Sequence, residues 1–234
     1  MNYSKWASAY DDIFPFSAQK FTVLKNHIRG NKLLDVGCAT GEYALKFAAL
    51  GYDVKGIDLS NEMIEKAREK VDDELVRFEV FDMTKPIENN TYDSIYIIGN
   101  TLVHLNDEIE IENTLKNFYQ ALKKGGNLIV QILNYHRIID QHITTLPLLK
   151  GKQYKMERHY QLKNAHIEFH TTLYSQSLTY HNSVMLFPLK FNSLENIVKR
   201  IGFRDVNFYN GFSHDVFNIK ESNALVGVFS KPKS

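Results

Sequence analysis

Residues 33–41, Leu-Leu-Asp-Val-Gly-Cys-Ala-Thr-Gly, read as a buried strand, a glycine-bearing loop and the start of a helix. Glycine lets the backbone approach a ligand closely, and the first turn of a helix offers unpaired N–H groups. A dinucleotide fingerprint requires G-x-G-x-x-G, but Ala39 and Glu42 occupy the second and third glycine positions. No Gly-Lys-Ser/Thr follows to form a phosphate loop. Asp58 closes the next strand, where a carboxylate can accept hydrogen bonds from ribose hydroxyls. A glycine turn and a ribose acid without phosphate machinery point to a nucleoside whose tail is not a phosphate. Cys38 lies inside the loop with no partnered base evident, so packing explains it better than nucleophilic catalysis. Among nine histidines, His166 and His170 share one strand face but lack an accompanying carboxylate or cysteine pattern, and no metal site is expected. His104, after the fourth strand, is a functional candidate or a histidine bonded to backbone.

The elements that must position these residues alternate. Strands are expected at 32–37, 53–58, 76–82, 92–99 and 127–134, separated by helices at 42–50, 61–71 and 107–124, the last ended by Gly125-Gly126. Such alternation implies a parallel sheet covered on both faces, with the ligand at the C-terminal ends of its strands. From about 153 to 191 the helical period gives way to β-branched and aromatic residues alternating with polar ones, an inserted antiparallel sheet. A helix at 193–203, capped by Ser193 and stopped by Gly202, and strands at 204–210 and 224–230 complete the chain. The opening residues form an aromatic helical stripe, Tyr3, Trp6, Tyr10, Ile13 and Phe14, stopped by Pro15. With 28 basic and 27 acidic side chains, the net charge of +1 supplies no field for a polyanion, so nucleic acid is a poor partner. No apolar run reaches the roughly 18 residues of a membrane span, and the N-terminus lacks a signal peptide's apolar core. A cytoplasmic location, as monomer or homodimer, is expected.

DVGCATG, IDLS at 57–60, FDM at 81–83, YDSIYIIGNTLVHL at 92–105, LKKGGNLIV at 122–130 and RIGFRDV at 200–206 follow one another in a familiar order. The set resembles the class I S-adenosylmethionine-dependent methyltransferases. The resemblance implies an α/β fold: a Rossmann-like, doubly wound, seven-stranded, mostly parallel sheet whose last strand is reversed, with the antiparallel sheet inserted after strand five. It further implies S-adenosyl-L-methionine as cofactor. Gly37 and Gly41, with Cys38 and Ala39 between them, would lie against its methionine part, and Asp35 would anchor the loop or reach the cofactor amine through water. Asp58 would hold the ribose, Leu59 would line the adenine, and Asp82 and Met83 would sit at the adenine edge. Ile98, Gly99 and Asn100 would pass near the sulfonium. The expected organisation is an N-terminal helical lid at 1–30, a core at 31–135 and 192–234, and the inserted sheet at 136–191 as the acceptor-side cover.

GNTLVHL at 99–105 and ILNYHRII at 132–139 resemble the small-molecule branch that includes glycine and sarcosine N-methyltransferases, and the inserted sheet resembles that of amino-sugar N,N-dimethyltransferases. The resemblance implies a small-molecule acceptor, an amine in the first place, with Asn134 and Tyr135 facing it and Asn100 and His104 nearby. Leu133 stands where the glycine enzymes have arginine, and Gln131 and His136 replace their acids, leaving a small amine or a carboxylated amine open. Arg158, on the inserted sheet, either pairs an acceptor carboxylate or is a solvated arginine. Methyl transfer to an amine relies on alignment and water exclusion, which can supply about 7–11 kcal/mol. Tyr10, His104 and Asn134 are the candidates for that catalytic work. The alternatives are a non-catalytic cofactor-binding or scaffold protein of the same fold, and a protein methyltransferase.

Overall fold

The computed structural model describes residues 3–177 and 179–234, with side chains described from Trp6 onward; the side chain of Tyr3 lies outside them. Five parallel strands, β1 (Lys32–Val36), β2 (Asp53–Asp58), β3 (Val76–Val80), β4 (Tyr92–Ile97) and β5 (Leu122–Leu133), form most of one sheet. The sheet is completed by β10 (Arg204–Asn210) and β11 (Ala224–Ser230) in the order β3-β2-β1-β4-β5-β11-β10. β11 runs antiparallel to both neighbours, so the reversed last strand is present as expected.

Alternation along the strands sends side chains to two separate layers. On β5, Leu128, Val130 and Ile132 face α5 (Glu108–Ala121) and α7 (Phe191–Ile201), whereas Ile129 faces the opposite side with α2 (Ala18–His27), α3 (Glu42–Ala48) and α4 (Asn61–Glu69). These β5 side chains are fully buried, each contributing about 1.5–3 kcal/mol of transfer free energy. Ser60 caps α4 by accepting the Met63 N–H at 3.2 Å, and Gly202, at φ +117, ends α7 as the sequence predicts.

Three local expectations are corrected. Helix α5 stops at Ala121, and the Gly125-Gly126 pair belongs to β5, because the Gly125 N–H is drawn to the carbonyls of Lys231 and Pro232 at 3.0 and 3.3 Å. Helix α7 begins at Phe191, two residues before Ser193. The Phe191 ring stacks on Phe208 and Phe217, at 4.8 and 5.2 Å between centroids, which brings the chain into the helix early. The inserted region, expected as sheet from 136, opens instead with the short helix α6 (Tyr135–Asp140) before strand β6 (Thr145–Lys150). Pro147 disguises that strand and is tolerated because β6 is an edge.

β6 joins β7 (Lys155–Lys163), β8 (His166–Tyr174) and β9 (Thr179–Leu186) in an antiparallel sheet with strands in sequence order. One face, carrying Met156, Tyr160, Ile167 and Leu173, is turned inward and buried. The N-terminal helix α1 (Tyr3–Ile13) bridges the two sheets. Trp6, Ala7, Ala9 and Ile13 pack with Ala39 and Met63 of the main body and with Met156 and Leu173 of the inserted sheet. Among the described residues no helix is long and apolar enough to cross a membrane.

Candidate active site

The site starts at the C-terminal end of β1. Gly37 (φ +69) and Gly41 (φ +81) adopt left-handed backbone, and a Cβ on Gly41 would come within 2.4 Å of the Phe78 ring. The N–H groups of Gly37 and Cys38 both donate to the Ile57 carbonyl, at 2.8 and 3.0 Å, folding the loop over the end of β2. Ala39, where a dinucleotide fingerprint has glycine, also takes positive φ (+48). Its N–H donates to Asp58 Oδ2 at 2.9 Å, and its methyl packs beneath α1.

Asp58 therefore has a role the sequence does not show. Its second oxygen accepts the Ser60 N–H at 2.9 Å, so the carboxylate clamps the loop after β1 to the turn after β2. An ionised carboxylate has about four lone-pair sites, so two backbone bonds leave acceptor capacity for ribose hydroxyls. Burial raises the Asp58 pKa, and its hydrogen bonds to Ser60, Ala39 and Leu59 offset part of the shift. Next to it Leu59 is 70% exposed.

Asp35 is buried, and desolvation pushes its pKa up to about 8. The Tyr96 hydroxyl adjoins it and moderates the rise without reaching full hydrogen-bond geometry, while the negative charge of Asp58 adds to it. The site thus carries two acids whose pKa values are perturbed by no cationic side chain. Tyr10 of α1 faces the same pair, and burial with the charges of Asp58 and Asp35 keeps its hydroxyl protonated far beyond neutral pH. The Cys38 thiol is buried, and its pKa is raised by desolvation, as an inert packing cysteine requires.

At the end of β4, Ile98 is half-buried and Gly99 (φ +76) is exposed, with its N–H held by Gln131 Oε1 at 2.7 Å. Asn100 (φ +66) fastens this loop to β5: its Oδ1 accepts the Leu133 N–H at 2.9 Å and its Nδ2 donates to the Tyr135 hydroxyl at 2.8 Å. Asp82 accepts from the backbone and hydroxyl of Thr84, at 2.9 and 2.8 Å, and so shapes the turn that holds the half-buried Met83. A cleft of about 410 Å³ lies beside the site, lined by Lys20, Gln131, Leu133 and Phe212 among others.

The structure places two further catalytic candidates as follows. Asn134 is buried and fully engaged: its amide donates to the carbonyls of Ile219 and Ser222, both at 2.9 Å, and its oxygen caps α6. It builds the turn beneath Tyr135 and presents no free group. His104 ends the 3-10 turn Thr101–His104 with part of its surface open to solvent, and burial of the imidazole lowers its pKa. His166 and His170 are occupied elsewhere, the first with the Asn106 carbonyl at 2.7 Å and the second beside Glu168.

The residues that hold α1 in place were missed. Asp11 pairs with the Thr40 hydroxyl and with Lys70 Nζ at 2.6 Å, and Lys70 also reaches the Thr40 carbonyl and Glu42 at 3.1 and 2.9 Å. Asp12 accepts the N–H groups of Lys152, Gln153 and Tyr154, at 2.6, 2.9 and 2.9 Å. One acid ties α1 to the glycine loop and its neighbour ties α1 to the inserted sheet. The adjacent pair at the end of the aromatic stripe was the available signal.

Residues 33–126 match the family described as a methyltransferase domain. The chain is 29% identical over 196 residues to a glycine/sarcosine N-methyltransferase of Aphanothece halophytica, covering 81% of this chain and 72% of that protein. Residues 33–126 therefore form a methyltransferase domain. Another methyltransferase, phosphoethanolamine N-methyltransferase 1 of Triticum aestivum, is 39% identical over 106 residues, 43% of this chain and 20% of that one. The fold matches a solved S-adenosylmethionine-dependent methyltransferase from Clostridium acetobutylicum with a TM-score of 0.80 at 16% identity, over 98% of this chain and 99% of that one.

The donor set of this methyltransferase fits the cofactor. S-adenosylmethionine would bring an ammonium and a sulfonium toward Asp35 and Asp58, whose pKa values no described cationic side chain perturbs, and its adenine would cover the exposed Leu59 side chain.

Proposed function

We propose that this methyltransferase acts on the amine nitrogen of a small molecule, with Asp58 and Leu59 holding the nucleoside and the Gly37–Gly41 loop holding the methionine part of the cofactor. S-adenosylmethionine, when bound, supplies an electrophilic methyl group on a sulfonium, and the protein's work is alignment and exclusion of water. The observation that carries the reading is the pair Asp35 and Asp58, perturbed by no cationic side chain beneath the protonated Tyr10. A bound sulfonium cofactor would favour the ionised form of both acids, whose charge would then offset the positive charge that an amine nitrogen gains as its new bond forms. Tyr10 and Tyr135, held protonated by burial, are hydrogen-bond donors and not bases, which suits a nucleophile that needs no strong base. The amine class is supported by the names of the relatives, which act on glycine, sarcosine and phosphoethanolamine.

The test is calorimetric titration of S-adenosylmethionine followed by mass-spectrometric turnover on a panel of small amines and phenols. Methylation of amines, with Tyr10→Phe lowering kcat more than cofactor affinity, is the expected outcome. Tight cofactor binding without transfer to any amine would overturn it.

A further inference from the structure

The inner face of the inserted sheet carries a cation without an acidic partner. Arg158 alternates with Met156 and Tyr160, which are 1% and 6% exposed, so its side chain leaves the strand on the buried face. Across β8 it stands opposite Thr171, and beyond that Asn182, so the strands beside it offer polar, uncharged neighbours. Its Nη2 donates to the Pro147 carbonyl at 2.8 Å, while its Nε is buried and has no partner. Among the described residues no carboxylate lies within ion-pair distance of it. A half-buried arginine with an unpartnered Nε and no counter-charge is costly, and the cost is recovered when an anion fills the fork.

Its position points at the site. Arg158 shares a face of β7 with Tyr160, and Tyr160 belongs to the same buried cluster as Tyr135. The Tyr135 hydroxyl bonds Asn100 in the loop after β4. The loop after β4 and the guanidinium therefore border one buried cluster that holds both tyrosines. We propose that Arg158 anchors an anionic group, a carboxylate or a phosphate, carried by the amine acceptor. The inference rests on the amine reading above and narrows it to acceptors with an amine at one end and an anion at the other.

The test uses pairs of probes that differ in that charge: sarcosine against sarcosinamide, and phosphoethanolamine against ethanolamine. Each is titrated by calorimetry into protein loaded with S-adenosylhomocysteine. In one pair the anionic member binds about ten- to hundredfold more tightly, the worth of a charge-assisted hydrogen bond. The pair that shows it separates carboxylate from phosphate. Arg158→Gln brings the two members to similar affinity, and Arg158→Lys retains a reduced preference; the lysine variant decides if the glutamine variant does not fold. Equal affinities in both pairs, or a preference that survives Arg158→Gln in folded protein, overturn the inference. Turnover on the same probes separates it from the broader reading. An Arg158-dependent anion preference without nitrogen methylation sinks the amine acceptor and leaves the anion site. Methylation without any charge preference does the reverse.

Discussion

The Ala39 N–H donates to Asp58 Oδ2 at 2.9 Å, so the acid at the end of β2 holds the loop at the end of β1 in its left-handed turn. The glycine that a dinucleotide loop has at this position is replaced by an alanine whose strained backbone is secured by that bond and by α1 above it.

Removing the Asp58 carboxylate should therefore do two things at once. Asp58→Ala should weaken S-adenosylmethionine binding by roughly ten- to hundredfold, the worth of hydrogen bonds to a charged group. It should also lower the melting temperature of the cofactor-free protein, because Ala39 and Ser60 lose their acceptor. Asp58→Asn, which keeps one acceptor, should recover stability more than affinity. Calorimetry and thermal melts on the two variants check this.

Asp35 sets a pH dependence with a definite sign. Its folded-state pKa of about 8 lies above the usual 3.8, so between those values the folded chain binds more protons than the unfolded one. Cofactor-free protein should accordingly lose stability as pH rises from about 4 to about 8, and Asp35→Asn should flatten that slope. A cationic ligand favours the ionised acid, so S-adenosylmethionine affinity should rise with pH through the same window. Melting curves and titrations across pH measure both, and a slope of opposite sign would refute the assignment.

The clasp on α1 should govern how fast cofactor enters and leaves. Lys70 bonds Asp11, Glu42 and the Thr40 carbonyl, with its side chain 26% exposed. Pairs exposed to this degree contribute about 0–1 kcal/mol, so Lys70→Met should raise the S-adenosylmethionine off-rate by no more than about fivefold. Amide hydrogen exchange over residues 6–13 should quicken in parallel. Stopped-flow displacement and exchange mass spectrometry test the link; an unchanged off-rate with faster exchange would show that α1 does not gate the site.

Tyr135→Phe should leave Asn100 Nδ2 without its buried acceptor at a cost of about 1–3 kcal/mol. For a chain of this size that is about 2–4 °C in Tm per kcal/mol. Because the bond fastens the loop after β4 to the end of β5, kcat should fall more than cofactor affinity, read from turnover and titration side by side.

The main sheet was legible because each strand's burial is written in its own period and each motif sits on one strand–loop unit. The inserted sheet was legible as a region but not in its strand count, since Pro147 breaks the pattern of β6. At the site, the loop residues could be placed from sequence because they are neighbours along the chain. Asn134 could not: its partners at Ile219 and Ser222 are 85 and 88 residues away, and only the folded chain shows its amide to be spent. Asp11 and Asp12 escaped for the same reason, as their partners belong to two other elements.

The place of β11 bears on how this chain reaches its native state. The last strand is wedged between β5 and β10, pairing Ala224 to Ser230 with Leu133 to Asn127, and Ser230 Oγ donates to Asn127 Oδ1 at 2.9 Å. While the ribosome is still making the later residues, β5 has an open, apolar flank with unpaired backbone, a template for mispairing with other chains. The inserted sheet is synthesised during that interval, so the nascent chain carries a vacant slot in its main sheet until β11 has emerged. Aggregation during expression should therefore respond most to changes that slow β11 docking, even when they leave the finished protein as stable as before.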